Sequence, residues 1–269
     1  MSGDRALFDC VVCGVDGTDE SRAAVAQVGR LLDGLQAACR VVLVSVWNTG
    51  ASVAVGWSPP VARTASFPRE ELRKAADGVR PLLPVGVPVE TVVVEGPPGP
   101  MMLTELARHR ATLVAVGSHG HRRLPGILLG SVATQLLHEA PCAVLMARGG
   151  PDEAFPARVA VGADGSEESA RAIQAGAGIA QRRGSALEAV VATGGGAAPD
   201  AAAVRSALDA AAGPDTPLRM ASDPPVDALA RLDPALLVVG SRGLQGLRSL
   251  GSVSERVAHE ARCSVLVVR

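Results

Sequence analysis

Three blocks of this sequence occur twice, in the same order. Residues 9–18 (DCVVCGVDGT) match 157–166 (ARVAVGADGS): an apolar run, then Gly, one residue, Asp, Gly and a hydroxyl residue. Residues 112–118 (TLVAVGS) match 235–241 (ALLVVGS), and 130–145 (GSVATQLLHEAPCAVL) match 251–266 (GSVSERVAHEARCSVL). Collinear repetition of this kind marks a duplicated unit, so the 269 residues divide into two tandem copies of ordinary domain size. The turn-forming cluster Gly149-Gly150-Pro151-Asp152 sets the boundary, giving domains 1–150 and 151–269.

Inside the first copy, short Val-rich runs alternate with helical patterns. Strands are predicted near 9–16, 40–47, 88–95, 112–117 and 142–147, and helices near 19–34, 68–82, 100–110 and 131–139. Thr18 is the expected N-cap of the first helix. The second copy repeats the strands near 157–163, 186–192, 216–221, 235–240 and 263–268, and is shortened mainly between its second and third strands. Nearly continuous apolar strands are buried on both faces, and alternating β and α segments imply right-handed crossovers. The expected fold class is α/β: two tandem doubly wound domains, each a parallel sheet flanked by helices.

Composition removes several functions. A net charge of -1, no Tyr, three Phe and two Trp supply neither a basic surface nor a stacking platform for nucleic acid. No apolar run approaches the length of a membrane span, and residues 1–10 lack the apolar core of a signal peptide. Five scattered cysteines suit reduced thiols, and with them a cytoplasmic location. Cys10 and Cys13 resemble a redox pair by spacing, but positions three apart on a strand face opposite sides, so they read as two small buried hydrophobes.

The chemistry-bearing residues cluster at predicted strand ends, where open α/β sheets bind ligands. Asp16 closes the first strand and is followed by Gly17. The fourth strand runs into Gly117-Ser118-His119-Gly120, then nine residues, then Gly130-Ser131 at a helix start. Glycines let main-chain N–H groups approach an anion, and a helix N-terminus adds its positive dipole end. A phosphate chain fits there, with Asp16 available to a ribose.

The spacing Gly117-x2-Gly120-x9-Gly130-Ser131, together with Asp16, resembles the signature of the ATP-binding branch of the universal stress protein family. The resemblance covers nearly the whole chain. It implies five-stranded parallel sheets of order 3-2-1-4-5 and ATP as ligand, with Mg²⁺ beside it. It also implies adenine contact at Val46 and phosphate contact at Gly117, Gly120, Gly130, Ser131 and Val132. The second copy keeps Asp164 and Gly240-Ser241-Arg242-Gly243, but only seven residues separate Gly243 from Gly251-Ser252. Two lost residues displace a loop by several ångströms at about 3.3 Å per residue, so nucleotide is expected mainly in the first copy. The second copy also has Gly194-Gly195-Gly196 where the first has a long excursion, 48–67, that holds Trp57 and Pro59-Pro60 and could cover a base.

Enzymatic chemistry is poorly supplied. The single lysine, Lys74, lies in a helix, which removes a Walker-type loop. Arg122 and Arg123 either offset phosphate charge or are solvated; Arg242 and Arg248 are their counterparts in the second copy. His119 and His121 lack the further ligands of a metal site, and His138 and His259 fall at helix ends, where a cation favours the dipole. No catalytic residue or metal ligand is assigned; slow Mg²⁺-dependent hydrolysis is the most that is expected. The fifth strands, Cys142 to Arg148 and Cys263 to Arg269, would be bare apolar edges in separate domains, and pairing them within the chain would cover both. A homodimer beyond that pairing is left open. The leading expectation is an ATP-binding regulator of stress response; the alternatives are an interaction module with vestigial sites and a slow ATP hydrolase.

Overall fold

A computed structural model gives the fold, described for residues 5–35, 39–47, 67–118, 129–149, 154–195, 198–241 and 252–269. In chain order the first half holds β1 (Cys10–Gly14), α1 (Asp19–Leu32), β2 (Arg40–Trp47), α2 (Phe67–Val79), β3 (Val89–Glu95), α3 (Pro98–His109), β4 (Leu113–Gly117), α4 (Ser131–Glu139) and β5 (Ala143–Ala147). The second holds β6 (Arg158–Gly162), α5 (Glu167–Arg183), β7 (Ala186–Ala192), α6 (Ala201–Ala212), β8 (Leu218–Ala221), α7 (Pro225–Ala230), β9 (Leu236–Gly240), α8 (Ser252–Glu260) and β10 (Ser264–Val268). The strands read from the sequence lie within two residues of these bounds.

The expectation of two five-stranded sheets is corrected on one point. The strands form one ten-stranded sheet of order β3-β2-β1-β4-β5-β10-β9-β6-β7-β8. Every neighbouring pair is parallel except β5 and β10, which run antiparallel with Leu145 opposite Leu266. The physical reason lies in the two strands themselves: every residue of β5 and β10 is buried, so neither tolerates an open edge. The outer strands β3 and β8 are only half-buried or exposed along most of their length.

Helices cover both faces. Val25, Val28 and Leu31 of α1, Ala76 and Val79 of α2, Ile173 and Ile179 of α5, and Val204 and Leu208 of α6 share one apolar cluster. Met102 and Leu106 of α3, Leu136 and Leu137 of α4, Leu229 of α7 and Val257 of α8 share the other. Each cluster contains residues of both halves, so the cores are continuous across the β5–β10 seam. Cys13 belongs to the first cluster and Cys10 to the second, as their spacing on one strand requires.

Two arginines lock the seam at equivalent positions of the repeat. Arg148, after β5, donates to the carbonyl oxygens of Ala258 and Cys263, at the end of α8 and ahead of β10. Arg269, after β10, donates to those of Leu137 (2.7 Å) and Cys142 (3.0 Å). A guanidinium there satisfies last-turn carbonyls and opposes the negative end of the helix dipole. Ser264 Oγ donates to Gln27 Oε1 (2.8 Å) and accepts from the Arg148 N–H (2.9 Å), while Gln27 Nε2 donates to the Arg148 carbonyl (2.9 Å). A His138–Glu255 contact (3.1 Å) and an Arg183–Asp33 ion pair (2.8 Å) also join the halves.

Replacing Arg148 with Ala strands several carbonyl groups, and about 2–4 kcal/mol of stability should be lost in a single cooperative denaturant transition. Separate transitions for the two halves would contradict the shared core. Burial pushes the Cys13 thiol up to about 12 and those of Cys142 and Cys263 to about 11. All five cysteines are buried, so a disulfide reagent at about pH 8 should react with the native protein only as fast as it unfolds. Because these folded-state values exceed the unfolded value of 9.0, stability is retained below pH 9.0 and falls as pH rises beyond it. Denaturant midpoints at pH 8 and 10 measure the loss.

Candidate functional site: the crevices at the strand ends

At the carboxyl end of β1, hydrogen bonds hold the chain before it turns. Val15 donates its N–H to the Val44 carbonyl (2.8 Å), and Ser45 Oγ donates to the Val15 carbonyl (2.7 Å), tying β1 to β2. Asp16 follows. Its Oδ1 accepts the Thr18 N–H (3.0 Å) and the Thr18 hydroxyl (2.6 Å), and Thr18 Oγ1 in turn accepts the Ser21 N–H as the N-cap of α1. Gly17 between them has φ +84°, a left-handed turn that glycine makes without strain. Asp16 therefore builds the turn that starts α1, a role the sequence reading missed. The signal was present in the pattern Asp-x-Thr, an Asx turn feeding a helix cap.

The second half repeats the Asx turn and helix cap. Asp164 Oδ1 accepts the Ser166 N–H (3.0 Å) and hydroxyl (2.6 Å), Ser166 caps Ser169, and Gly165 has φ +91°.

The fourth strand of each half ends against the first turn of the helix that this turn launches. A Cβ placed on Gly117 would lie 2.7 Å from Glu20 Cβ and 2.8 Å from its carbonyl carbon; one on Gly240 would lie 2.8 Å from the Glu168 carbonyl carbon. Both positions demand glycine because a helix backbone presses on the strand end. Close packing thus accounts for the first glycine of each signature before any ligand is considered. The same contact brings the Asp16 turn and Gly117 together across the switch from β1 to β4. The Gly130 N–H donates to the Ser118 carbonyl (2.8 Å), and Ser118 donates its own N–H to Ala147 (3.0 Å), which fixes α4 beside the crevice.

Helix α4 starts at Ser131 with Gly130 as an N-cap that has no side-chain cap bond, and no acidic residue stands in its first turn. Helix α1, by contrast, is capped by Thr18 and carries Asp19 and Glu20, and α8 carries Glu255. Val132 is half-buried and packs its side chain against the core. Val46, on β2 opposite Val94, is half-buried against the same apolar cluster as α4. Asp16, Val46, Gly117, Gly130, Ser131 and Val132 therefore lie around the carboxyl ends of β1, β2 and β4. Asp164 and Gly240 occupy the corresponding ends of β6 and β9.

Gly120, Gly243 and Gly251, with His119, His121, Arg122, Arg123, Arg242, Arg248, Trp57, Pro59, Pro60 and Gly196, lie outside the described residues; Ser252 opens α8. His138 and His259 fall in the last turns of α4 and α8, and His138 is paired with Glu255. Among the described residues no helix is long and apolar enough to cross a membrane.

A mostly parallel sheet with a strand-order reversal between β1 and β4 and helices on both faces defines a doubly wound α/β protein. The sequence model of the universal stress protein family matches residues 8–148 and 220–269. A universal stress protein of Mycolicibacterium smegmatis is 30% identical over 290 residues, covering 96% of each chain. One of Mycobacterium tuberculosis is 32% identical over 296 residues with the same coverage. The crystal structure of a universal stress protein from Archaeoglobus fulgidus superposes with a TM-score of 0.72 at 20% identity, covering 98% of both chains. This chain belongs to the universal stress protein family.

The close approach at Gly117 makes a sharp prediction that does not depend on ligand. Gly117→Ala should destabilise the protein by about 1–3 kcal/mol through displacement of α1, measured by thermal unfolding without nucleotide. A neutral substitution would show that α1 does not press on β4.

Proposed function

We propose that the protein is a cytoplasmic ATP-binding regulator of stress response, with nucleotide held mainly by its first half, residues 1–150. The observation that carries this reading is the N-terminus of α4. Among the described residues, its first turn has no side-chain cap bond and no acidic residue of its own, and it stands beside the Asp16 turn at the strand-order switch. An anion completes such a helix end by accepting its free donors and meeting the positive dipole. The phosphates would take main-chain donors at Gly130, Ser131 and Val132, the adenine would rest near Val46, and the ribose would meet Asp16.

A triphosphate would bring Mg²⁺ with it, and the Asp19 and Glu20 carboxylates in the first turn of α1 would be the described groups to meet the hydrated cation. In the second half, Glu255 in the first turn of α8 disfavours an anion, which supports unequal occupancy. Binding would alter the loops at the strand ends and so the surface offered to a partner. No described residue is placed as a general base, so regulation by occupancy is preferred to turnover.

The test is to denature purified protein, quantify released adenine nucleotide, and titrate the emptied protein with Mg·ATP. About one nucleotide per chain is expected. Gly130→Val should weaken binding by about ten- to a hundredfold, the loss of one or two charge-assisted hydrogen bonds. Protein that purifies empty and ignores ATP at millimolar concentration would overturn the proposal.

A further inference from the structure

The second crevice has a residue seated directly on its Asp-Gly turn. In the second half the segment entering α6 folds down onto it. Asp200 donates its N–H to the Asp164 carbonyl (2.9 Å), and a Cβ on Gly165 would sit 2.7 Å from Asp200 Cβ and 2.9 Å from its carbonyl oxygen. Asp200 is itself anchored, because its Oδ1 accepts the Ala203 N–H (2.9 Å) as the N-cap of α6. Its main-chain and side-chain bonds therefore pin one residue between a helix start and the switch-point turn.

The neighbouring strand ends are closed as well. Thr193 donates to the Ala221 carbonyl (2.7 Å) and Gly194 to that of Asp223 (3.2 Å). A Cβ on Gly194 would clash with the Ser222 carbonyl oxygen, so the loops after β7 and β8 are pressed together. In the first half, among the described residues, the nearest atom to a Cβ on Gly17 is Ala75 Cβ at 3.7 Å, an ordinary contact from the flank of α2.

From this packing we infer that Asp200 is a built-in plug: it holds the α6 entrance over Asp164-Gly165 and shuts the second crevice against a nucleoside. The inference rests on the nucleotide reading above for the identity of the ligand, but the plug itself is a property of the empty protein. A ribose approaching Asp164 would meet the Asp200 main chain where it needs open space. Removing the obstruction requires breaking the Asp200–Asp164 hydrogen bond and the α6 cap together. The duplicated Asp-Gly-hydroxyl turn survives in the second half because it starts α5 through the Ser166 cap, a task independent of any ligand. The motif is kept for folding while the space above it is filled.

Hydrogen–deuterium exchange on the full chain, with and without Mg·ATP, tests this. In nucleotide-free protein the Asp200 and Ala203 amides should exchange slowly, and Asp200→Gly should speed exchange at Ala203 by about five- to tenfold through loss of the cap. On adding Mg·ATP, peptides covering 114–118 and 129–134 should gain protection, while those covering 164–169 and 198–204 should not change. Equal protection in both halves, with two nucleotides per chain, would overturn the plug. Fast exchange at Asp200 in the empty protein would overturn it too, whatever ATP does. A chain that binds no nucleotide yet protects Asp200 upholds the plug and defeats the proposed function instead.

Discussion

The antiparallel pairing of β5 with β10 is the constraint on which the rest of the molecule depends. Each strand is buried along its whole length, and hydrogen bonds between them turn two apolar edges into the centre of one sheet. With the edges gone, the helices on either face share cores that cross the seam, and Arg148 and Arg269 tie each half to the final helical turn of the other.

Beyond the seam, the site is shaped by close approach of main chain to main chain. Gly117 and Gly240 admit the first turns of α1 and α5, and the Asp-Gly-hydroxyl turn sets where those helices begin. The crevice is thus a by-product of packing that must occur whether or not a ligand is bound. Among the described residues, what stands opposite is an α4 first turn with no acidic residue in the first half, and an α8 first turn with Glu255 in the second. Two copies of one sequence pattern have diverged by small additions around an unchanged turn.

Much of the fold was legible in the sequence. The repeat located equivalent elements, Val-rich runs located ten strands, and the opposite facing of Cys10 and Cys13 followed from strand geometry. The Thr18 cap was legible too. The Asp16 carboxylate was read only as a ligand group, although its first hydrogen bonds are to Thr18. Reading Gly117 as a phosphate glycine overlooked the contact with Glu20, because a contact between residues about a hundred positions apart leaves no periodic trace.

The sequence by itself determined that the chain is a duplicated β/α unit with a carboxylate and glycines at strand ends, because these follow from local pattern and spacing. Tertiary structure alone decided that the expected pairing of the fifth strands is antiparallel with Leu145 opposite Leu266, that the signature glycines admit helix backbone, and that Asp200 sits over the second turn. Those outcomes depend on which distant surfaces meet, and burial of apolar edges selects among meetings that local pattern leaves equivalent.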